Sequence, residues 1–226
     1  MARGQVGART AVDSASTSAA TRSEISTAAE QLFARHGFHA VSIRDITAEA
    51  GVNVAAVNYH FGSKDELLLQ IFRTRAAELN RERARMLHEA KARHGGTGTL
   101  REILAALFTP PIRWYHAKDG RRVALQFILR VRTEGTEAML EHLHKDISHL
   151  DRFAAALKAA LPALPDELVY WRLHFCLGLV HNNRPAEFDR LHRLSRGATR
   201  GGDSEAMLER MLDFAVAGFG TGSCGT

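Results

Sequence analysis

An all-α fold with two parts, a small N-terminal three-helix head and a larger C-terminal helical domain, is what this chain of 226 residues predicts. Three observations carry it. Apolar residues recur at three- and four-residue spacing through most of the chain, and no stretch alternates as a strand does. Two short helical patterns, Ile43 to Ala50 and Val54 to about His60, are separated by Gly51-Val52-Asn53. The run Gly95 to Thr99, GGTGT, then marks a boundary before further helices.

Met1 to Thr21 is rich in Ala, Ser, Thr and Gly and reads as a loose tail, with Arg3 and Arg9 able to reach a minor groove. Arg22 to His36 carries Ile25, Ala28, Ala29, Leu32 and Phe33 on one face and closes at Gly37. Its start, near Thr21 to Ser23, can aim N–H groups at a phosphate. Ser42 can cap the next helix, whose apolar face is Ile43, Ile46 and Ala50. Gly51 ends that helix where a left-handed residue is required, with Val52 as an apolar plug.

In the following helix Val57 and Phe61 point inward, leaving Asn53, Ala55, Ala56, Asn58, Tyr59 and His60 outside. Two short helices joined by such a turn make a helix-turn-helix, whose second helix can enter a major groove. The small Ala55 and Ala56 allow close approach. The asparagines suit base edges or phosphates, and Tyr59 and His60 suit phosphate oxygens. With Ser42, Arg44, Val54 and Lys64 added, these residues form the expected DNA-facing set.

The longer stretch AAEQLFARHGFHAVSIRDITAEAGVNVAAVNYHFGSKDELL, Ala28 to Leu68, resembles the DNA-binding domain of the TetR family of bacterial transcription regulators. The resemblance rests on AAxxLFxxxGF, Ser42-Ile43, IxxxAGV, YHF and SKDEL. It departs at Asn58, where many members carry Tyr, so that Tyr59 takes the phosphate-binding part or Asn58 shares it. It implies a DNA-binding domain over 22–68 and an effector-binding and dimerisation domain over 69–219, followed by a short tail, 220–226. It also favours a phosphate contact for Lys64.

Ser63 opens a long helix in a capping pattern with Glu66, running to about His94 as a link from head to second domain. Beyond the boundary the expected helices are Leu100 to Phe108, Ile112 to Ala117 after a break at Pro110-Pro111, and Arg121 to Arg132. Glu137 to Leu161 reads as one helix ended by Pro162 and Pro165. Asp166 caps LVYWRLHFCLGLVHNN, apolar on nearly every face and so expected to be buried on both sides. A polar stretch to Gly202 precedes a last helix, Ser204 to Phe219.

For an effector pocket the candidates are Trp114, Tyr115, Phe127, Trp171, His174 and Phe175, with Arg130 or Arg132 for an anionic group. For pairing with a second copy they are Leu173, Leu177 and Val180, and Met207, Leu208, Met211, Leu212 and Ala215. The segment Glu167 to Gly178 is also similar to family members responsive to fatty acids or acyl-CoA, which implies an effector of that class.

His142, Asp146 and His149 share a helical face by spacing and allow a metal site, the basis of an alternative reading as a metal-binding or interaction protein without specific DNA binding. No catalytic motif occurs, so neither an enzymatic role nor a cofactor is expected. The net charge of +5 is compatible with a polyanionic partner. Two cysteines without metal or disulfide spacing, and no signal-like or membrane-spanning run, fit a cytoplasmic protein. The expected partners are a near-palindromic duplex operator, a second copy of the chain and a small effector.

Overall fold

The computed structural model describes the backbone of residues 6–181, 185–199 and 203–220, and the side chains of 17–180, 188–199 and 203–220. Eleven helices and no strand occur among them. They are α1 Val6–His36, α2 Ile43–Ala50, α3 Val54–Phe61, α4 Lys64–Arg93, α5 Leu100–His116, α6 Gly120–Glu134, α7 Glu137–Lys145, α8 Ser148–Ala160, α9 Asp166–His181, α10 Pro185–Leu194 and α11 Ser204–Gly220. None is long and apolar enough to cross a membrane.

Two compact units form. The first combines the chain up to Ala76 with Val123–His142, and the second holds Ala77–Arg122 and Leu143 onward. The helix-turn-helix unit thus recruits most of α6 from far along the chain, a division that the expected boundary near residue 68 does not contain. Its core gathers Ile25, Ala29 and Phe33 from α1, Ile46, Val57 and Phe61 from the two short helices, and Leu67, Leu68 and Phe72 from α4. Phe127 of α6 closes it, with its ring centroid 5.1 Å from Phe38 and 6.4 Å from Phe33. A pair inside this unit, Glu30 and Arg75 at 2.7 Å, satisfies a carboxylate that α1 buries.

α1 starts at Val6, whereas the apolar stripe begins only near Arg22. Ala-rich sequence supports helix without any stripe, because Ala loses no side-chain entropy on entering one. In consequence the N–H groups of Thr21 to Ser23 lie within α1 and serve its own ladder, not a phosphate. The tail expected before Arg22 is helical from Val6 on; Arg3, the Arg9 side chain and residues 221–226 lie outside what is described.

The second unit packs Leu104, Leu107 and Phe108 of α5 against Phe153 and Leu157 of α8, Val169 and Leu173 of α9, and Leu212 and Ala215 of α11. Three features differ from the sequence expectation. α5 is continuous through Pro110 and Pro111. Pro111 has no N–H for the carbonyl of Leu107; Arg83 of α4 supplies one instead, its Nε donating at 3.1 Å.

The expected single helix from Glu137 to Leu161 divides at Asp146-Ile147. There Ser148 Oγ donates to the Asp146 carboxylate at 2.8 Å, a local bond that competes with the helical ladder. α10 lies where a polar irregular stretch was expected. Two ties join the second unit's helices at the surface: Arg101 of α5 bonds Glu209 and Asp213 of α11, and Arg172 of α9 donates to the Phe219 carbonyl at 2.8 Å.

Candidate nucleic-acid interface

Caps hold both short helices. The Ser42 hydroxyl accepts the Asp45 N–H at 3.2 Å, and the Asp45 carboxylate accepts from the Ser42 N–H at 2.8 Å and from its hydroxyl at 2.7 Å. These bonds, the hydroxyl first, keep the Asp45 carboxyl below the usual carboxylate range. Gly51 takes φ +67°, and its N–H bonds the carbonyls of Thr47 and Ala48. α3 starts on Asn53, whose Oδ1 accepts the Ala56 N–H at 2.9 Å. It ends at Gly62, φ +79°, whose N–H bonds the Asn58 carbonyl.

Between those caps Val57 and Phe61 are buried, and the opposite face is open. Tyr59 is 82% exposed and Val54 43%. Arg44, Ala55 and Asn58 are exposed, and Ala56 and His60 half-buried. The outer surface is therefore short-chained at Ala55 and Ala56 and polar at Asn58 and Tyr59, as a helix seated in a major groove requires.

Three members of the expected set also have structural duties. Ser42 and the side-chain oxygen of Asn53 are occupied as caps, which leaves Asn53 only its amide N–H groups for a base or phosphate. Lys64 Nζ donates to the Phe38 carbonyl at 2.6 Å and lies 5.6 Å from the centre of the Phe33 ring. It ties the α1–α2 loop to the start of α4 and keeps two further N–H donors.

Sequence reading missed Arg22. Its guanidinium donates to the carbonyl of His60 at 2.7 Å and to Gln70 Oε1 at 2.5 Å, and it sits 4.6 Å over the Phe61 ring. A cation on a final carbonyl satisfies one of the groups that a helix end leaves open. No local pattern announces a bond spanning 38 residues.

The expected effector residues fall in both units. Phe127 is core in the first unit. Arg130 is occupied by the end of α1, donating to the carbonyls of Ala34 at 3.1 Å and Arg35 at 3.2 Å and pairing with Glu134 at 2.5 Å. Trp114 is buried in the second unit, and its Nε1 donates to Glu82 at 3.0 Å. Tyr115 is half-buried and Arg132 exposed. Trp171, His174 and Phe175 are outside on α9, with the Trp171 and Phe175 rings stacked at 5.9 Å.

The expected pairing residues are displaced in the opposite sense. Leu173, Val180, Met211, Leu212 and Ala215 are buried in the second unit's core, with Leu177, Met207 and Leu208 partly buried against it. α9 is apolar on both faces, and the row with Leu173 and Val180 is the one that faces the core. The row left open on α9 is Trp171, His174, Phe175 and Gly178, and Tyr170 and, on α11, Phe214 are exposed as well.

Among the described residues no three His, Cys, Asp or Glu side chains could hold a metal. The break between α7 and α8 removes the helical spacing that aligned His142, Asp146 and His149. His142 instead packs edge-on to Phe72 at 5.8 Å.

Residues 25–71 match the family described as bacterial regulatory proteins, tetR family, and residues 105–218 match the tetracyclin repressor-like C-terminal domain. The chain is 27% identical to the HTH-type transcriptional regulator BetI of Agrobacterium fabrum, over 62% of this chain and 82% of that protein. It is 26% identical to the HTH-type transcriptional regulator AcrR of Shigella flexneri, over 75% of this chain and 81% of that one.

The fold is similar to that of NalD, the secondary repressor of the MexAB-OprM multidrug efflux pump in Pseudomonas aeruginosa. That likeness has a TM-score of 0.59 at 20% identity and covers 90% of this chain and 97% of NalD. With both of its parts matched, the chain belongs to the TetR family of bacterial transcription regulators, helix-turn-helix DNA-binding proteins that are not enzymes.

Proposed function

We propose that two copies of this chain set their α3 helices into successive major grooves of a near-palindromic operator and repress transcription in the cytoplasm. The outer face of α3, thin, polar and capped at both ends, is the observation that carries this reading. Tyr59, Arg44 and the free donors of Lys64 meet phosphates, while Asn58 and the Asn53 amide read base edges. A single short helix contacts few bases, so affinity and specificity come from doubling, with half-sites about 34–36 Å apart or a multiple of it.

The second copy docks on the open row of α9, Trp171, His174, Phe175 and Gly178, together with Phe214 of α11. Stacked aromatic rings exposed to water are the kind of surface that a partner covers.

Release follows binding of a small apolar effector, such as a fatty acid or acyl-CoA, in the second unit. The effector must bind the released form more tightly than the operator-bound form, or nothing shifts. Genomic fragments selected on the protein, then retested by mobility shift with and without acyl-CoA, test the reading. Selective binding that weakens with acyl-CoA supports it. Absence of selective binding at low salt overturns it, and selective binding indifferent to a broad acyl panel overturns the effector class alone.

A further inference from the structure

We propose that the guanidinium of Arg83 is the seat of an anionic headgroup, a carboxylate or a phosphate, with the imidazole of His149 as its second contact. The inference rests on the effector reading above and names the chemistry its ligand must carry.

Arg83 is only 8% exposed within the second unit. Its acceptors are neutral: the Leu107 carbonyl at 3.1 Å and Asn80 Oδ1 at 3.3 Å. Among the described residues no carboxylate pairs with it, and its remaining N–H groups meet no protein acceptor. Burial pulls the guanidinium down to about 10, so it is still charged at neutral pH. A buried charge without a counterion is costly, because the interior does not repay the lost hydration. The carbonyl that Pro111 leaves free requires one N–H from any donor, and a neutral side chain would serve. A planar fork of five donors with most of them idle is suited to a bidentate anion.

His149 supplies an independent observation. Its Nδ1 is buried without a hydrogen-bond partner. Burial, and then the charge of Arg83, push its pKa below the usual imidazole range, while Asp146, by its charge and by a backbone hydrogen bond with the ring, and Asp151 act the other way. The neutral ring carries one N–H, and with that proton on Nδ1 it can donate to an anion held on Arg83. One buried cation without a counterion and one buried ring nitrogen without a partner lie in the same unit, and the same occupant completes both.

The test uses the full chain and three probes with one alkyl length: octanoate, octyl phosphate and 1-octanol, titrated by calorimetry. At least one anion is expected to bind about tenfold or more tightly than octanol, the carboxylate or the phosphate being whichever binds better. R83M should abolish that preference and R83K should keep part of it. H149L replaces a ring with one orphaned nitrogen by an apolar group and is expected to fold; it should lower the preference several-fold with octanol binding unchanged. If R83M does not fold, H149L decides.

Equal binding of all three probes, binding of no anion, or an unchanged preference in folded R83M or H149L would overturn the proposal. Operator release is scored separately. Release by octanol as readily as by the anions sinks only the anion seat, whereas anion binding that leaves the operator complex intact counts against the effector reading and leaves the seat standing.

Discussion

Arg22 donates to the carbonyl of His60 at 2.7 Å, so that a side chain from the middle of α1 closes the C-terminal end of α3. The same guanidinium lies over Phe61, the apolar residue that anchors α3 from behind. Removing it in R22M leaves that carbonyl and Gln70 unmatched. The expected loss is about 1–3 kcal/mol of stability, read by urea denaturation, with operator affinity weakened for all sequences alike because no base contact is touched.

Gly51 holds φ +67°, with no atom within 4 Å of where a Cβ would stand. Steric exclusion is therefore not what requires glycine there; backbone conformation is. G51A is expected to destabilise the protein by about 1–2 kcal/mol. A stability equal to that of the native chain in thermal and urea unfolding would contradict this origin.

The two rows of α9 make opposite predictions. F175E should convert a dimer to a monomer in sedimentation with unchanged far-UV dichroism, and should reduce operator binding. L173A, whose side chain is buried, should cost about 2–5 kcal/mol of stability. A monomer produced by a folded L173A variant, with F175E still dimeric, would restore the inner row as the pairing surface.

Phe127 and Arg130 serve the first unit, whereas the sequence suggested them for an effector pocket in the second domain. F127A is expected to lose about 3–5 kcal/mol of stability, and R130A to loosen the end of α1. Neither should alter effector affinity in a protein that remains folded. Calorimetry on R130A with the best probe checks this, and a large loss of affinity would return Arg130 to the ligand site.

How far the sequence foretold the structure depends on the reach of each interaction. Ser42 with Asp45, Asn53 with Ala56 and the turn at Gly51 close within three or four residues, so their residue types disclose them. Pro110 and Pro111 mark a break by local rules, yet α5 continues because a donor 24 residues earlier, Arg83, takes the exposed carbonyl. Asn53 and Lys64 show the converse. Their types suit DNA, but the nearest acceptor or donor in the fold claims part of each. α9 carries apolar residues all round, and periodicity cannot say which row faces inward when both are eligible. Only α5, α8 and α11 packed against one side decide it.

Footprinting on a selected genomic fragment tests the paired seating of α3 most directly. Protection should appear as two patches on one face of the duplex, centred about one helical turn or a multiple of it apart, with Y59A weakening both and N58A changing which bases are preferred. A single patch, or protection indifferent to Tyr59 and Asn58, would contradict it.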